Sequence, residues 1–548
     1  MGSLEPITFK GINLNEKEKK FSNLLLNIVQ FIHDKNPTIN PPQLRFAGGW
    51  VRDKLLGKES DDIDVAIDNM TGYKFAQHFS NYMLKNKLIH KASIGKIASN
   101  PDKSKHLETA TTHYEGMAID FVHLRSETYN TDSRIPESVQ FGTPWEDALR
   151  RDITINALFY NLNTGLVEDF THKGLEDLKD KIIRTPLEPK ETFLDDPLRV
   201  LRVVRFASRF NFSILKQIEE TIQLPEIKDA LVQKISKERV CTELTKMLKG
   251  PNPLIALESL YSLGLYPYLF DPSTTDVPKD AHIQPYTNGL NASRLAYWLL
   301  NNSSYKGPNN IFDGFELPLS LMEPHYNLFK ENVLEILLGS YLLPFDRIDI
   351  QIPKKSKTTP LISIILTNSL KITNQVIDTT HTMSDGSNTL DQLRYLNESI
   401  LDRVKIGNFI FNTKHLWPIV ILYDTIYKLT PLVTEAGVSD RDAFQSILNN
   451  YAILMNYIHN ENLGLSYKTP LPLSGKDIAK ILNIKPGKLI GFINQGVRDW
   501  CLLNPNGTKS ECEQWVLQKY TDPEVLEELN KAVMLEHERM VQMKKQNC

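Results

Sequence analysis

Apolar positions fall at helical spacing from the start of the chain. Phe21, Leu24, Leu25, Ile28, Val29 and Ile32 share one face across Glu16–Asp34, and Pro37, Pro41 and Pro42 then break the pattern. This predicts a lead-in helix. From Leu44 to about Ile183 the pattern is mixed. Ile63–Ile67, Met117–Leu124 and Leu166–Phe170 read as short strands, and Gly72–Leu84 and Thr154–Phe159 read as helices between them. After Glu191 the strand signal disappears, and Asp196–Phe210, Lys237–Leu248 and Pro253–Leu263 all read as amphipathic helices. Asn301–Phe312 and Ile352–Thr359 carry the polar, Gly/Pro-marked composition of exposed loops. The last hundred residues hold one punctuated block, PLPLSGKDIAKILNIKPGKLIGFI, followed by charged helix. The fold class is therefore α+β: an α/β head on a long, all-helical remainder without repeats.

Composition narrows the function. At roughly 150 residues per domain, 548 residues predict three or four domains. Lys and Arg number 63 against 66 Asp and Glu, a net charge of −3, so any nucleic-acid contact must come from a local basic patch. Four cysteines without a CxxC pair suit reduced thiols rather than a disulfide scaffold. No apolar run reaches the ~18 residues of a membrane span. Thr359–Leu366 and Leu416–Leu422 are shorter and read as buried helix. The N-terminus, MGSLEPITFKG, resembles neither a signal peptide nor a transit peptide.

The densest chemistry lies in Gly48-Gly49-Trp50-Val51-Arg52-Asp53 followed by Asp61-Asp62-Ile63-Asp64-Val65-Ala66-Ile67. Two glycines at the mouth of a helix let backbone N–H groups approach a phosphate, and Arg52, one turn in, adds a forked donor. Period 2 puts Asp62 and Asp64 on one strand face and Ile63, Val65 and Ile67 in the core, with Asp61 on the other face from the two acids. Two adjacent carboxylates repel unless a cation sits between them, and hard oxygen donors beside phosphates suit Mg²⁺. The bland alternative is a glycine turn and an acidic strand end in solvent. No GxxxxGK[ST], HExxH, CxxC…CxxC or GxSxG occurs, so P-loop, zinc-hydrolase and acyl-transfer chemistry have no support.

GGWVRDKLLG…DDIDVAI resembles the first motif of the class II tRNA nucleotidyltransferases, the CCA-adding enzymes, and of the related bacterial poly(A) polymerases, all polymerase-β-like nucleotidyltransferases. Later segments resemble the remaining family motifs in order. These are Arg150–Leu158 (RRDITINAL), Gly174–Leu178 as the hinge, Asp195–Arg202 (DDPLRVLR, with Asp195 where Glu is usual) as the nucleotide-reading motif, and Lys237-Glu238-Arg239 through Glu243 in the neck. The match covers roughly residues 44–250; beyond it, only Ser474–Gly491 resembles the tail of eukaryotic members.

The resemblance implies roles that the residue chemistry supports. Asp62 and Asp64 would hold two Mg²⁺ ions, and Asp120, on the strand Met117–Val122, is the candidate third carboxylate. Arg151 would donate to the nucleotide and Asp152 would accept from ribose hydroxyls, with Asn156 one turn later. Tyr160 reads as core. Arg199, Arg202, Arg205 and Arg209 fall on one helical stripe whose mutual repulsion asks for an anion, a triphosphate or RNA backbone. Arg202 would meet the triphosphate, and Arg205 and Arg209 are the members better read as structural. Asp196 and Arg199 would read the base edge, although an Asp before Pro197 is also the pattern of a helix cap.

The expected organisation is an N-terminal extension and helix (1–42), a polymerase-β-like catalytic head (43–190), a helical neck (191–265), a helical body (266–440) and a tRNA-binding tail (441–548). The expected activity is template-independent addition of C, C and A to tRNA from CTP and ATP. Poly(A) polymerase on the same head, or a catalytically silent RNA-binding protein, are the alternatives. The tail would grip the acceptor and TΨC arm through Lys476, Lys480, Lys485 and Lys488, with solvated helix lysines as the plain alternative. No membrane and no obligate protein partner are expected. Cytoplasm and nucleus are the expected compartments, with a mitochondrial form requiring a longer isoform.

Overall fold

Asp62–Ile67 pleats as its alternation requires, with Ile63 and Val65 fully buried and Asp62 and Asp64 open on the opposite face. The computed structural model describes residues 5–38, 40–88, 95–97, 109–129, 136–270, 285–301, 311–351, 358–393, 401–485 and 487–522, together with 524, 525, 527, 531 and 534. Its chain divides into two units, Met1–Tyr268 and Leu269–Cys548.

The first unit is built on an eight-stranded sheet. In chain order come β1 (Ile7–Phe9), β2 (Leu44–Ala47), β3 (Asp62–Ile67), β4 (Gly95–Ile97), β5 (Thr109–Tyr114) and β6 (Met117–His123). A separate hairpin follows, β7 (Arg125–Tyr129) and β8 (Pro136–Phe141), before β9 (Phe159–Asn161) and β10 (Leu166–Asp169) complete the sheet. The spatial order is β1-β10-β9-β2-β3-β6-β5-β4, and β3 and β6 run parallel at its centre.

Helices α1 (Glu16–Lys35), α2 (Gly49–Leu55), α3 (Gly72–Lys85), α4 (Pro144–Leu149) and α5 (Gly174–Asp180) belong to this head. Helix α1 starts in a capping box between Asn15 and Glu18 and buries the predicted face from Phe21 to Ile32. Phe21 stacks on Phe46 of β2 at 6.0 Å and packs on Tyr114 of β5 at 5.3 Å. Strand β1 pairs with β10, Ile7 opposite Asp169. The first 42 residues, expected as an extension, therefore supply an edge strand and a core helix of the head.

The helical run is α6 (Pro189–Asp195), α7 (Leu198–Phe210), α8 (Lys216–Ile222), α9 (Pro225–Lys234), α10 (Lys237–Leu248) and α11 (Pro253–Ser262). Three expectations need correction. Thr154–Phe159 is not one helix. A single 3-10 turn, Thr154–Asn156, leads into β9, because the Thr154 N–H is spent on the Arg184 carbonyl at 2.9 Å and its hydroxyl on Asp177 at 2.7 Å. The helix expected from Asp196 begins at Leu198, with Asp196 extended ahead of Pro197. Strands also persist after Glu191, as two-residue pairs too short to show a period: Ser213–Ile214 with Ile182–Ile183, Asp349–Ile350 with Thr359–Pro360, and Val433–Thr434 with Gly437–Val438.

In the second unit, Tyr286–Leu300, Val333–Tyr341, Asn374–Leu393 and Trp417–Leu429 enclose an apolar core with a polar centre. Asp424 there is fully buried and accepts from Ser387 at 2.7 Å and from the Tyr451 hydroxyl. Arg347 pairs with Asp391 and donates to Ser387 at 2.8 Å. Trp417–Leu429 confirms the buried helix expected at Leu416–Leu422, whereas Thr359–Leu366 splits into a strand pair and the short helix Leu361–Ile364. Residues 302–310 and 352–357 of the two expected loops lie outside the described residues. Nearer the C-terminus, Gly475–Ile481, Lys488–Leu503 and Lys509–Tyr520 share a core of Leu473, Ile478, Ile493, Val497, Trp500, Cys512, Val516 and Tyr520. Among the described residues no helix is long and apolar enough to cross a membrane.

Candidate active site

Parallel pairing of β3 with β6 sets Asp64 directly beside Asp120 and Asp62 beside Ala118. On β6, Met117, Ile119 and Phe121 are buried, so Asp120 projects to the same open face as Asp62 and Asp64. Thr111 of β5 lies opposite Asp120 and donates its hydroxyl to it at 2.7 Å. Desolvation by the surrounding protein, reinforced by Asp120 and Asp62, pushes Asp64 up to about 6 despite the countering pull of Arg151. Desolvation and then Asp120 push Asp62 upward as well. Asp62 and Asp64, both raised by desolvation and by the neighbouring Asp120, form with it a site whose charge a divalent cation would relieve. Among the described residues no group of three or more His, Cys, Asp or Glu side chains is placed to hold a metal ion by itself. An open carboxylate face fits an ion whose remaining ligands come from substrate phosphates and water.

The glycine turn is joined to these acids through the sheet. Ala47, the last residue of β2, pairs with Asp64, so Gly48 follows immediately beside it. Gly48 adopts φ +66°, and a Cβ there would lie 2.7 Å from Arg151 Nη1, so only glycine serves. Its N–H is spent on the Leu158 carbonyl at 3.0 Å, leaving Gly49 to open the first turn of α2. That turn is braced from behind by Glu18 of α1, which accepts from Trp50 Nε1 at 3.1 Å and pairs with Lys54 at 2.9 Å. Tyr160 is core, as expected, packed against Phe46 and Trp50.

The RRD segment is organised by an acid that sequence reasoning missed. Asp147 of α4 is buried and accepts from Arg151 Nε (3.1 Å) and Nη2 (2.9 Å) and from Arg150 Nε (2.9 Å). Burial opposes its charge, yet Arg150 and Arg151 hold Asp147 down at about 2. Its spacing three and four residues ahead of the two arginines on a helical pattern was the available signal. Arg151 also donates to the Asn156 carbonyl at 3.0 Å, so part of its five-N–H fork remains for a ligand beside Gly48.

Asp152 is a hub rather than a free acceptor. It accepts from Asn156 Nδ2 (3.0 Å), the Ile153 N–H (2.9 Å) and Arg202 Nε (2.7 Å), leaving about one of its four lone-pair directions. Burial works against its charge, but Arg202 and these hydrogen bonds keep it at about 2. The Asn156 oxygen meanwhile accepts from Arg52.

Arg52 is not brought to the site as a phosphate donor. It is buried, bonded to Asp53 at 2.8 Å and to Asn156, and packed over the Phe210 ring at 4.7 Å, because α7 covers it.

The arginine stripe exists on α7, but its counter-charges are internal. Arg202 pairs with Asp152, Arg205 with Glu243 at 2.5 Å and Arg209 with Asp53 at 3.5 Å. Arg199 donates to the carbonyls of Thr192 (3.1 Å) and Arg150 (2.7 Å). An external anion is therefore not required to relieve the stripe; the acids come from α2, α10 and the RRD turn, which a helical wheel cannot show. Arg202 keeps about a third of its side chain exposed. Asp196 serves partly as the cap, its Oδ1 accepting the Leu198 N–H at 3.2 Å, and it also pairs with Arg239 of α10 at 3.0 Å. In the second unit, Lys476, Lys480, Lys485 and Lys488 are all exposed, the first two on Gly475–Ile481 and Lys488 at the start of the next helix.

Residues 44–184 match the family model of the poly A polymerase head domain, and residues 211–277 match that of a probable RNA and SrmB-binding site of polymerase A. The fold resembles that of the Thermotoga maritima CCA-adding enzyme solved in complex with tRNA, with a TM-score of 0.56 and 18% identity over 93% of this chain and 99% of that one. Sequence likeness reaches much further in two fungal proteins. The mitochondrial CCA tRNA nucleotidyltransferase of Candida glabrata is 38% identical over 91% of this chain and 95% of its own length. That of Saccharomyces cerevisiae is 36% identical over 91% and 92%. With that identity sustained over nine-tenths of both chains, this chain belongs to the CCA tRNA nucleotidyltransferases.

Proposed function

We propose that this protein adds C, C and A to the 3′ end of tRNA from CTP and ATP, without a nucleic-acid template, releasing pyrophosphate at each addition. The observation that carries this reading is the open face shared by Asp62, Asp64 and Asp120 beside the Gly48–Gly49 turn. Asp62 and Asp64 would hold Mg²⁺, with Asp120 as the third carboxylate. Bound there, Mg²⁺ lowers the proton affinity of the attacking tRNA hydroxyl and neutralises the triphosphate and the leaving pyrophosphate.

The remaining work falls to the chain itself. The turn at Gly49 offers backbone N–H groups to phosphate oxygens, and Arg151, held by Asp147, adds a fixed cation beside them. Arg202 presents its exposed edge to the triphosphate while Asp152 holds its Nε. The last free direction on Asp152 accepts one ribose hydroxyl.

Asp196 and Arg199 read the base. Cytosine and adenine both place an amino donor beside a ring-nitrogen acceptor; uracil and guanine reverse the order. One fixed acceptor beside one fixed donor admits the first pair and leaves buried groups unpaired with the second. The exposed tail lysines would hold the acceptor and TΨC arm through its phosphates. The relatives' mitochondrial names support a mitochondrial form beside the expected cytoplasmic and nuclear ones.

The deciding assay offers tRNA lacking its 3′ CCA together with CTP and ATP. Three added nucleotides and then arrest support the reading. An unbounded A-tract would identify a poly(A) polymerase, and no addition would identify a silent RNA-binding protein.

A further inference from the structure

The neck pattern Lys237-Glu238-Arg239…Glu243 has no part in the reaction as described, yet it faces the base-reading corner. Arg239 and Glu243 are four apart on α10 and therefore share a face. Glu243, buried, holds Arg205 at 2.5 Å and lies 4.0 Å from Arg202. Arg239 holds Asp196 with both terminal nitrogens, Nη2 to Oδ2 at 3.0 Å and Nη1 to Oδ1 at 3.5 Å. One face of α10 thus fixes both the start of α7 and its middle.

We infer that Arg239 is a positioning residue for nucleotide choice: it locks the Asp196 carboxylate in the orientation that accepts the amino group of cytosine or adenine. This rests on the assignment of Asp196 and Arg199 as base readers. The two readers are anchored differently. Arg199 is pinned by the carbonyls of Thr192 and Arg150, one from α6 and one from the RRD turn. Asp196, extended between two helices, has one backbone donor, the Leu198 N–H. A single hydrogen bond leaves the carboxylate free to rotate about its last torsion, and the two-pronged guanidinium removes that freedom.

With the Leu198 N–H and both Arg239 prongs in place, about one of four lone-pair directions remains, and it becomes the acceptor edge. A carboxylate so fixed cannot turn away from the carbonyl of uracil or guanine, so acceptor meets acceptor and the wrong base is rejected. Released from Arg239, it can turn away, and rejection weakens along with correct binding.

The test uses the full-length enzyme and tRNA lacking CCA, with each of the four nucleoside triphosphates. Arg239→Ala and Arg239→Gln are compared with Arg239→Lys and, in parallel, Asp196→Asn. The expected result is a rise of about tenfold in KM for CTP and ATP, the worth of one charge-assisted hydrogen bond. The UTP-to-CTP and GTP-to-ATP ratios of kcat/KM should rise with it, and Arg239→Lys should restore part of the selectivity. Arg239→Gln keeps most of the aliphatic stem and a neutral polar end, and covers the case in which Arg239→Ala melts below the assay temperature. If Asp196→Asn shifts the ratios and the folded Arg239 variants do not, the positioning role is overturned and the base-reading assignment stands. If neither shifts them, the base-reading assignment fails.

Discussion

Asp64 and Asp120 are cross-strand neighbours on parallel β3 and β6, facing the same open surface. Like charges set side by side in a sheet are destabilising, and here they help raise Asp64 to about 6, after desolvation itself. A sheet centre built for stability alone would not carry this pair. Strain of this kind marks a site whose charge is balanced only when its ligand is present.

That relationship yields a paired outcome for activity and stability. Asp62→Asn and Asp64→Asn should each abolish addition of both C and A. Asp64→Asn should also raise the melting temperature of the metal-free protein at neutral pH, because it removes one member of the repelling set. Millimolar Mg²⁺ should raise the wild-type melting temperature and leave that of Asp64→Asn unmoved. Calorimetry with and without Mg²⁺, beside the addition assay, checks all three; an Asp64→Asn protein that keeps its activity would refute the metal assignment.

How far the sequence carried can be read from the same residues. Period 2 put Asp62 and Asp64 on one face of their strand because strand geometry leaves no other choice, and a six-residue alternation is enough to see it. The register that joins Asp64 to Asp120 is a property of the sheet and was not visible. The arginine stripe on α7 was visible as a stripe, yet its partners Asp152, Glu243 and Asp53 lie on three other elements, so the inferred need for an outside anion was mistaken. Thr154–Phe159 was too short to distinguish a helix from a turn entering a strand. Asp147 was overlooked because an acidic pair, Glu146-Asp147, before RRD reads as more surface charge.

Asp147 makes the second prediction, an acid-lability one. Asp147 and Asp152 sit at about 2 in the folded protein, against about 3.9 for a free Asp. Carboxyls held lower in the folded state stabilise it above the unfolded value, and that stability is lost as pH falls through the folded value. The fold should therefore weaken steeply between about pH 4 and pH 2. Asp147→Asn should cost about 3 kcal/mol at pH 7, since it strands Arg150 and Arg151 against a buried neutral group, and should flatten the acid limb. Urea melts across that range measure both.

The tail lysines give a kinetic prediction. Charge reversal of Lys485 and Lys488 should raise KM for tRNA and flatten its salt dependence, because fewer counterions are released on binding, leaving KM for CTP and the first-order rate of chemistry unchanged. Exposed cations act on backbone phosphates, whose contribution falls with ionic strength. An unchanged tRNA KM would make these solvated helix residues and nothing more.

The last prediction concerns the N-terminal segment, expected as an extension and helix and found packed into the head. Glu18 is almost fully buried on α1, and its carboxylate accepts from Trp50 Nε1 and pairs with Lys54, both on the helix that follows the Gly48–Gly49 turn. Lys54 is itself largely buried and has a second partner in Glu59, so it keeps one counter-charge when Glu18 is lost. Trp50 Nε1 has no such reserve. Glu18→Ala should therefore cost about 2–3 kcal/mol through an unpaired indole donor and a half-neutralised lysine, and it should loosen the glycine turn enough to raise KM for CTP and ATP alike. Glu18→Gln, which still accepts from Trp50, should fall between the variant and wild type. Deleting residues 1–36 removes β1, uncovers the edge of β10, and strips Phe21 from Phe46 and Tyr114; that protein should not fold. A soluble, active truncation would show that the segment is an appendage, and that the Glu18–Trp50 contact contributes nothing to the turn.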